Sequence, residues 1–302
     1  MTITRGVRRI ARITYEKLFA RAGARAVERM LADGLPPQLA PALRFLFTGR
    51  APATAQDAAL RIERLREEIA ARPDVYKFAH FDTSLGPVRL AEPVRETTGA
   101  LTSERLATVL SVPKRWGLFL HLCADAFNAA IILEMGACVG VSAAYLASIR
   151  SRPLLVTLEG SPALAQIAQA SLDAVADRGK VIVGPFEQTL APALDRLGAQ
   201  DQTIDVAFVD GHHEEAATLH YVSAIRPHLS STALIILDDI HLYEGMWRAW
   251  QTLSSADDVV AVNVGRFGLL VYERGSAANR RYDLARYTGH WPVGSARILP
   301  SA

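Results

Sequence analysis

Five short apolar runs in this chain each end on glycine, acid or histidine. Residues 130–133 lead into Glu134-Met135-Gly136-Ala137-Cys138-Val139-Gly140-Val141-Ser142, and residues 154–158 into Glu159-Gly160-Ser161. Residues 181–183 precede Gly184-Pro185-Phe186-Glu187, and residues 206–209 precede Asp210-Gly211-His212-His213. Residues 234–237 precede Asp238-Asp239-Ile240-His241. Each group has a chemical use. Gly136 and Gly140 allow a sharp turn and a close approach of ligand to backbone, and a helix after Gly140 offers free N–H groups. Glu159 follows the first glycine by about twenty residues, where an acid accepts the two ribose hydroxyls of an adenosine. Phe186 offers a flat apolar face to an adenine.

The ligand can be narrowed further. The glycine spacing is not GxGxxG, and neither Lys nor Arg stands in the turn, so a pyrophosphate is poorly served. Glu134 and Asp210 suit a cation that carries a free amine. Adenosine, positive charge and amine together describe S-adenosylmethionine.

These residues need a scaffold that brings their five runs side by side. From about residue 102 onward the apolar runs alternate with helical patterns, over residues 114–127, after Gly140, after Pro162, through 190–197, from Glu214 and around 246–253. Strands separated by helices imply crossovers and a parallel sheet covered on both faces. Ligands of such sheets sit at the carboxyl ends of the strands. Residues 259–264 and 269–272 also read as strands, but only Gly265, Arg266, Phe267 and Gly268 lie between them. Four residues cannot make a parallel crossover, so this pair is expected to be an antiparallel hairpin. The expectation is an α/β, doubly wound, mostly parallel seven-stranded sheet ending in that hairpin. A nicotinamide-binding domain would instead end on a parallel strand.

The rest of the chain is less specific. Half of its 302 residues are hydrophobic and 21% are charged, which fits a globular protein with a large core. The net charge of +2 disfavours a dedicated nucleic-acid binder. Two cysteines, Cys123 and Cys138, read as small buried residues of a reducing, cytoplasmic compartment. Residues 1–100 are expected to be a helical extension, with Ala58, Ile62, Leu65 and Ile69 at helical spacing. It could serve as a lid, a substrate wall or a homodimer contact. Its basic opening, which includes Ile10, Ile13, Leu18 and Phe19, could rest on an acidic membrane surface, the plainer reading being a helix packed on the main body. Residues 80–98 read as loop, and residues 275–302 as a polar, peripheral tail. Residues 129–149 are apolar enough to raise a membrane span, but Glu134, Gly136 and Gly140 favour a strand, turn and helix. His121 reads as a core histidine. Trp247 and Trp250 read as core rather than as a substrate platform.

The segment from about residue 113 to 274 resembles the class I S-adenosylmethionine-dependent methyltransferases, nearest to the catechol-type O-methyltransferases. ILEMGACVGVSAAYLA resembles their first motif, TLEGSP the second, VGPFEQ the third, DVAFVDGHHEE the fourth and LIILDDIH the fifth. The resemblance implies that Glu134, Gly136, Gly140, Ser142, Glu159, Gly160, Phe186 and Asp210 hold the cofactor. It implies O-methylation of a small-molecule acceptor and a domain spanning residues 101–274. In catechol-type enzymes an acid after the fourth strand and an Asp-Asn pair after the fifth hold a divalent ion; Asp210, Asp238 and Asp239 stand at these positions. Such a set suits Mg²⁺. The family's lysine base corresponds to His213. Two routes to a reactive hydroxyl remain open. Either the three acids bind metal and His213 or Asp239 assists, or His213 or His241 acts as base without metal. A non-catalytic cofactor-binding module and a nicotinamide-dependent oxidoreductase are the competing functions.

Overall fold

The computed structural model describes residues 5–81, 96–276 and 279–289. Ten strands are formed among them. β1 (Val75–Phe81) and β2 (Glu96–Thr102) make a separate antiparallel pair. β3 (Ile131–Met135), β4 (Leu154–Glu159), β5 (Gly179–Val183), β6 (Ile204–Val209), β7 (Leu229–Leu237), β8 (Val259–Asn263), β9 (Gly268–Glu273) and β10 (Arg280–Asp283) form one sheet in the order β10-β8-β9-β7-β6-β3-β4-β5.

From β5 across to β7 every pairing is parallel, and β9 then runs antiparallel to both β7 and β8. The expected hairpin is therefore present, with Asn263 paired to Gly268 across its loop. All five residues of β3 are buried, as a central strand covered on both faces requires. From β3 the chain moves outward through β4 to β5, then crosses back to β6 and β7. The switch point lies between β3 and β6, so their carboxyl ends flank the crevice where ligands of such sheets bind. Residues 129–149 resolve into β3, a turn and the helix Val141–Ala147. Among the described residues no helix is long and apolar enough to cross a membrane.

The helices Arg5–Ala32, Ala40–Thr48 and Ala53–Ala70 join the core on one face of the sheet. Ala58, Ile62 and Ile69 are buried and Leu65 half-buried, matching the spacing that marked this helix. Arg66 is buried as well, because its guanidinium donates to the carbonyls of Ala107 and Val112 at 2.6 Å each. Glu63 accepts from the Tyr145 hydroxyl at 2.9 Å, tying this helix to Val141–Ala147. His121 is indeed a core residue, its Nδ1 3.1 Å from the Tyr145 carbonyl. The side chains of Ile10, Ile13 and Leu18 lie outside the described ones.

Two segments differ from the sequence expectation. Residues 75–81 and 96–102 pair as strands where residues 80–98 were expected to be loop; residues 82–95 lie outside the described ones. Fourteen residues separate the two strands in sequence, so the short-loop signal of a hairpin is missing. Part of the expected polar tail also enters the sheet. β10 pairs in parallel with β8, giving an eighth strand beside the seven expected. Of the four residues of β10 only Tyr282 is buried, so the polar composition of this segment is that of an edge strand. Arg280 and Tyr282 both reach the Asp33 carbonyl, which ties this edge to the end of the first helix.

Candidate functional site

The carboxyl ends of β3, β4 and β6 lie side by side, and glycine decides how closely they meet. Gly136 has φ +97° and donates its N–H to the Leu158 carbonyl at 2.9 Å. A Cβ on it would stand 1.9 Å from the Asp210 carbonyl oxygen, so no other residue fits without moving the end of β6. Gly140, at φ +83°, opens the helix Val141–Ala147, where a Cβ would lie 2.8 Å from the Ala168 Cα. Ser142 therefore sits inside the first turn rather than at the cap. Its hydroxyl works to lower the pKa of the Glu134 carboxyl.

Glu134 is fully buried below this turn. Its Oε2 accepts from the Thr157 hydroxyl at 2.6 Å, whereas Oε1 has no partner. Burial pushes its pKa up to about 7, against an ordinary value of 4.5. The sign follows from linkage: the folded chain favours the protonated form, so stability falls as pH rises from the unfolded value through the folded one. At about 1.4 kcal/mol per pH unit, this group alone costs the ligand-free chain about 3 kcal/mol by pH 8. Glu134→Gln keeps the shape and abolishes that loss. Urea denaturation at pH 5.5 and pH 8 should show a smaller stability drop for the variant than for the parent; equal drops would refute this assignment.

Glu159, at the end of β4, joins two neighbouring turns. Its Oε2 accepts the Cys138 N–H at 2.8 Å and its Oε1 the Ser161 N–H at 2.9 Å. Gly160 lies between Glu159 and Ser161 in the turn that ends β4. Burial raises the pKa of this carboxyl and these N–H groups work to lower it. Each carboxylate oxygen still has a lone pair for a further donor. Ser161 caps the helix Pro162–Asp173 through Leu164 N–H. Phe186, the first residue of the helix Phe186–Gly198, packs edge-on to His212 and Tyr221 and lies against Gly211. It is 8% exposed, so it forms a wall of the crevice rather than an open platform.

The histidines divide into distinct roles. The single hydroxyl proton of Tyr221 goes to Glu187 at 2.9 Å, so His212 Nδ1–H donates to the Tyr221 oxygen at 2.5 Å. His212 is thus a clamp between β6 and its neighbours. His213 is half-buried, with Nε2 3.7 Å from Asp210 Oδ1 and its ring near Tyr243. Burial holds its pKa below the ordinary imidazole value. His241 is committed elsewhere. Asp283 accepts from Asn263 Nδ2 at 3.0 Å, which turns Asn263 Oδ1 toward His241 Nε2 at 3.1 Å. The remaining His241 nitrogen, Nδ1, is buried without a partner, and the ring stacks on Trp247 at 4.7 Å. Trp250 is core, packed over Gly268.

No motif in the sequence singles out Arg266. The residue lies in the hairpin loop, and the pairing of β9 with β7 ends with Gly268 opposite Leu237, so this loop sits beside the Asp238-Asp239 turn. The Ile240 N–H donates to the Arg266 carbonyl at 3.2 Å. Arg266 Nε donates to Asp238 Oδ1 at 2.7 Å and Nη2 to Oδ2 at 2.5 Å, a bidentate pair. Asp238 Oδ1 also accepts the Asp239 N–H at 2.7 Å, and Asp238 is 1% exposed. Arg266 Nε lies 3.8 Å from Asp239 Oδ1. Burial, then the Asp238 charge, raises the pKa of Asp210 well above the usual carboxylate range and that of Asp239 to about 7.

This arrangement does not fit a divalent metal. A hard dication needs several free oxygens at close range, and both oxygens of Asp238 are taken by the guanidinium. A dication about 4 Å from that guanidinium would meet a repulsion of about 8 kcal/mol at an effective dielectric of ~20. Among the described residues no group of three or more His, Cys, Asp or Glu is arranged to hold a metal.

Comparison with known proteins agrees with the geometry. Residues 133–240 match a family model described as a methyltransferase domain. A catechol O-methyltransferase of Mycobacterium tuberculosis is 31% identical over 160 residues, which are 52% of this chain and 66% of that protein. The chain thus matches somewhat under two thirds of that relative's length. Among solved structures, an O-methyltransferase from Bacillus cereus in complex with SAH is 22% identical, covering 54% of this chain and 82% of that one at a TM-score of 0.45. TomG, an O-methyltransferase from Streptomyces achromogenes in complex with SAM, is 21% identical, covering 75% and 92% at a TM-score of 0.47. The matched segment holds Glu134, Glu159, Phe186, Asp210, His213 and the Asp238-Asp239 pair, all on the strand ends just described. These matches support a class I S-adenosylmethionine-dependent methyltransferase, with its methyltransferase domain over residues 133–240.

Proposed function

We propose that this chain transfers the methyl group of S-adenosylmethionine to a hydroxyl of a small-molecule acceptor, with His213 receiving the hydroxyl proton. The observation that carries the reading is the Glu159 carboxylate, held by Cys138 and Ser161 N–H groups beside a Gly136 turn that tolerates no Cβ. That cradle fits an adenosine. When bound, the cofactor supplies an electrophilic methyl on a positively charged sulfur.

The chain's own residues would divide the work. Glu159 would accept the ribose hydroxyls through its remaining lone pairs, and Phe186 would wall the adenine. Gly136, Gly140 and Gly160 would let the cofactor meet backbone. A cationic group bound near Glu134 and Asp210 would favour their ionised forms against the burial that raises their pKa values. A hydroxyl is a weak nucleophile until its proton leaves. His213, kept neutral at pH 7 by its burial, has a free lone pair for that proton.

His213→Ala should lower turnover by about 10²–10³-fold, in the range of a positioned general base. Affinity for S-adenosylmethionine should stay within about twofold. The check is formation of S-adenosylhomocysteine with a panel of hydroxylated acceptors, alongside calorimetric titration of the cofactor. Undiminished turnover would remove His213 from the mechanism.

A further inference from the structure

We propose that Arg266 is the resident cation of this site, filling the place that a divalent metal would need. Three carboxylates converge at the ends of β6 and β7, and such a cluster calls for positive charge. The chain provides it from a different element. The hairpin register puts Arg266 next to the Asp238-Asp239 turn, and the Ile240 N–H to Arg266 carbonyl bond fixes the loop there. The guanidinium then takes both oxygens of Asp238 and lies 3.8 Å from Asp239. The side chain is four-fifths buried and its guanidinium lies 5.6 Å from the centre of the Phe267 ring, so it is held rather than dangling. A flexible surface cation could move aside for a metal. One anchored by a bidentate pair, a backbone bond and an aromatic neighbour leaves Asp238 no oxygen to give.

The inference rests on the acid cluster and Arg266, not on the methyl-transfer reading. It is tested with Mn²⁺ as the probe. Paramagnetic resonance of free Mn²⁺ during titration with the whole chain should show no saturable binding up to millimolar metal. The Arg266→Lys chain should behave the same way. Arg266→Met should gain one Mn²⁺ per chain, at least tenfold tighter than the parent, with a rise in Tm on adding the metal. One tight Mn²⁺ on the parent chain, lost in Asp239→Asn, would overturn the proposal. So would a folded Arg266→Met chain that ignores Mn²⁺. If Arg266→Met does not fold, the parent and Arg266→Lys titrations decide alone. Titrating S-adenosylmethionine into the same parent sample separates the two readings, since cofactor binding can succeed or fail whatever Mn²⁺ does.

Discussion

Glu159→Ala is expected to weaken binding of S-adenosylmethionine about a hundred-fold. The carboxylate is the one group at the end of β4 that can accept two ribose hydroxyls at once. Hydrogen bonds to a charged acceptor contribute about 1.5–3 kcal/mol each, and a loss of about 2.7 kcal/mol is a factor of 100. The substitution also strips the Cys138 and Ser161 N–H groups of their acceptor, which loosens two turns together. Glu159→Gln separates these effects. The amide oxygen keeps one N–H partner, so the turns should hold better while affinity still falls. Calorimetric titration reads both variants, and circular dichroism confirms that they fold. Parent-like affinity in Glu159→Ala would place the adenosine elsewhere.

Asp238→Ala should destabilise the fold by about 3–5 kcal/mol, the cost of breaking a buried ion pair from one side. It leaves the Arg266 guanidinium four-fifths buried and without its bidentate partner. It also deprives the Asp239 N–H of its acceptor. Removing the charge as well should recover part of the loss, because no unpaired cation then remains. The double variant Asp238→Ala with Arg266→Met is therefore expected to be more stable than Asp238→Ala alone. Urea denaturation of the parent and three variants closes the cycle. A cost under about 1 kcal/mol for Asp238→Ala would mean that the pair is as weak as a surface one.

The sheet was legible because parallel central strands are nearly continuous apolar runs, and five of them ended on residues with chemical use. The hairpin was legible because four residues cannot span a crossover. β10 was not, since an edge strand buries little and Arg280-Arg281-Tyr282-Asp283 reads like any polar loop. β1 and β2 were missed because fourteen residues separate them in sequence, too many for a short-loop hairpin signal. Within the site, Gly136, Glu159 and Asp210 meet as their strand positions implied. Glu134 does so less directly, since it lies wholly beneath the turn with its carboxyl bonded to Thr157.

The acids after β7 were read by analogy as metal ligands, and their partner was invisible in the spacing. Arg266 lies 28 residues beyond Asp238 and meets it only through the β7–β9 register. That register could have been anticipated: a hairpin packed against β7 must bring its loop beside the β7 carboxyl end. His241 misled for a related reason. Its Nε2 is engaged through Asn263 by Asp283, a residue of the edge strand that composition concealed.

The central claim is that the ends of β3, β4 and β6 form one adenosine-binding crevice for a sulfonium cofactor. Hydrogen exchange of the whole chain with and without S-adenosylmethionine tests it most directly. Slower exchange is expected at residues 136–140, 159–161 and 210–213, together and saturably, with NAD giving none. A folded chain whose exchange at these three turns is unchanged by the cofactor would contradict it.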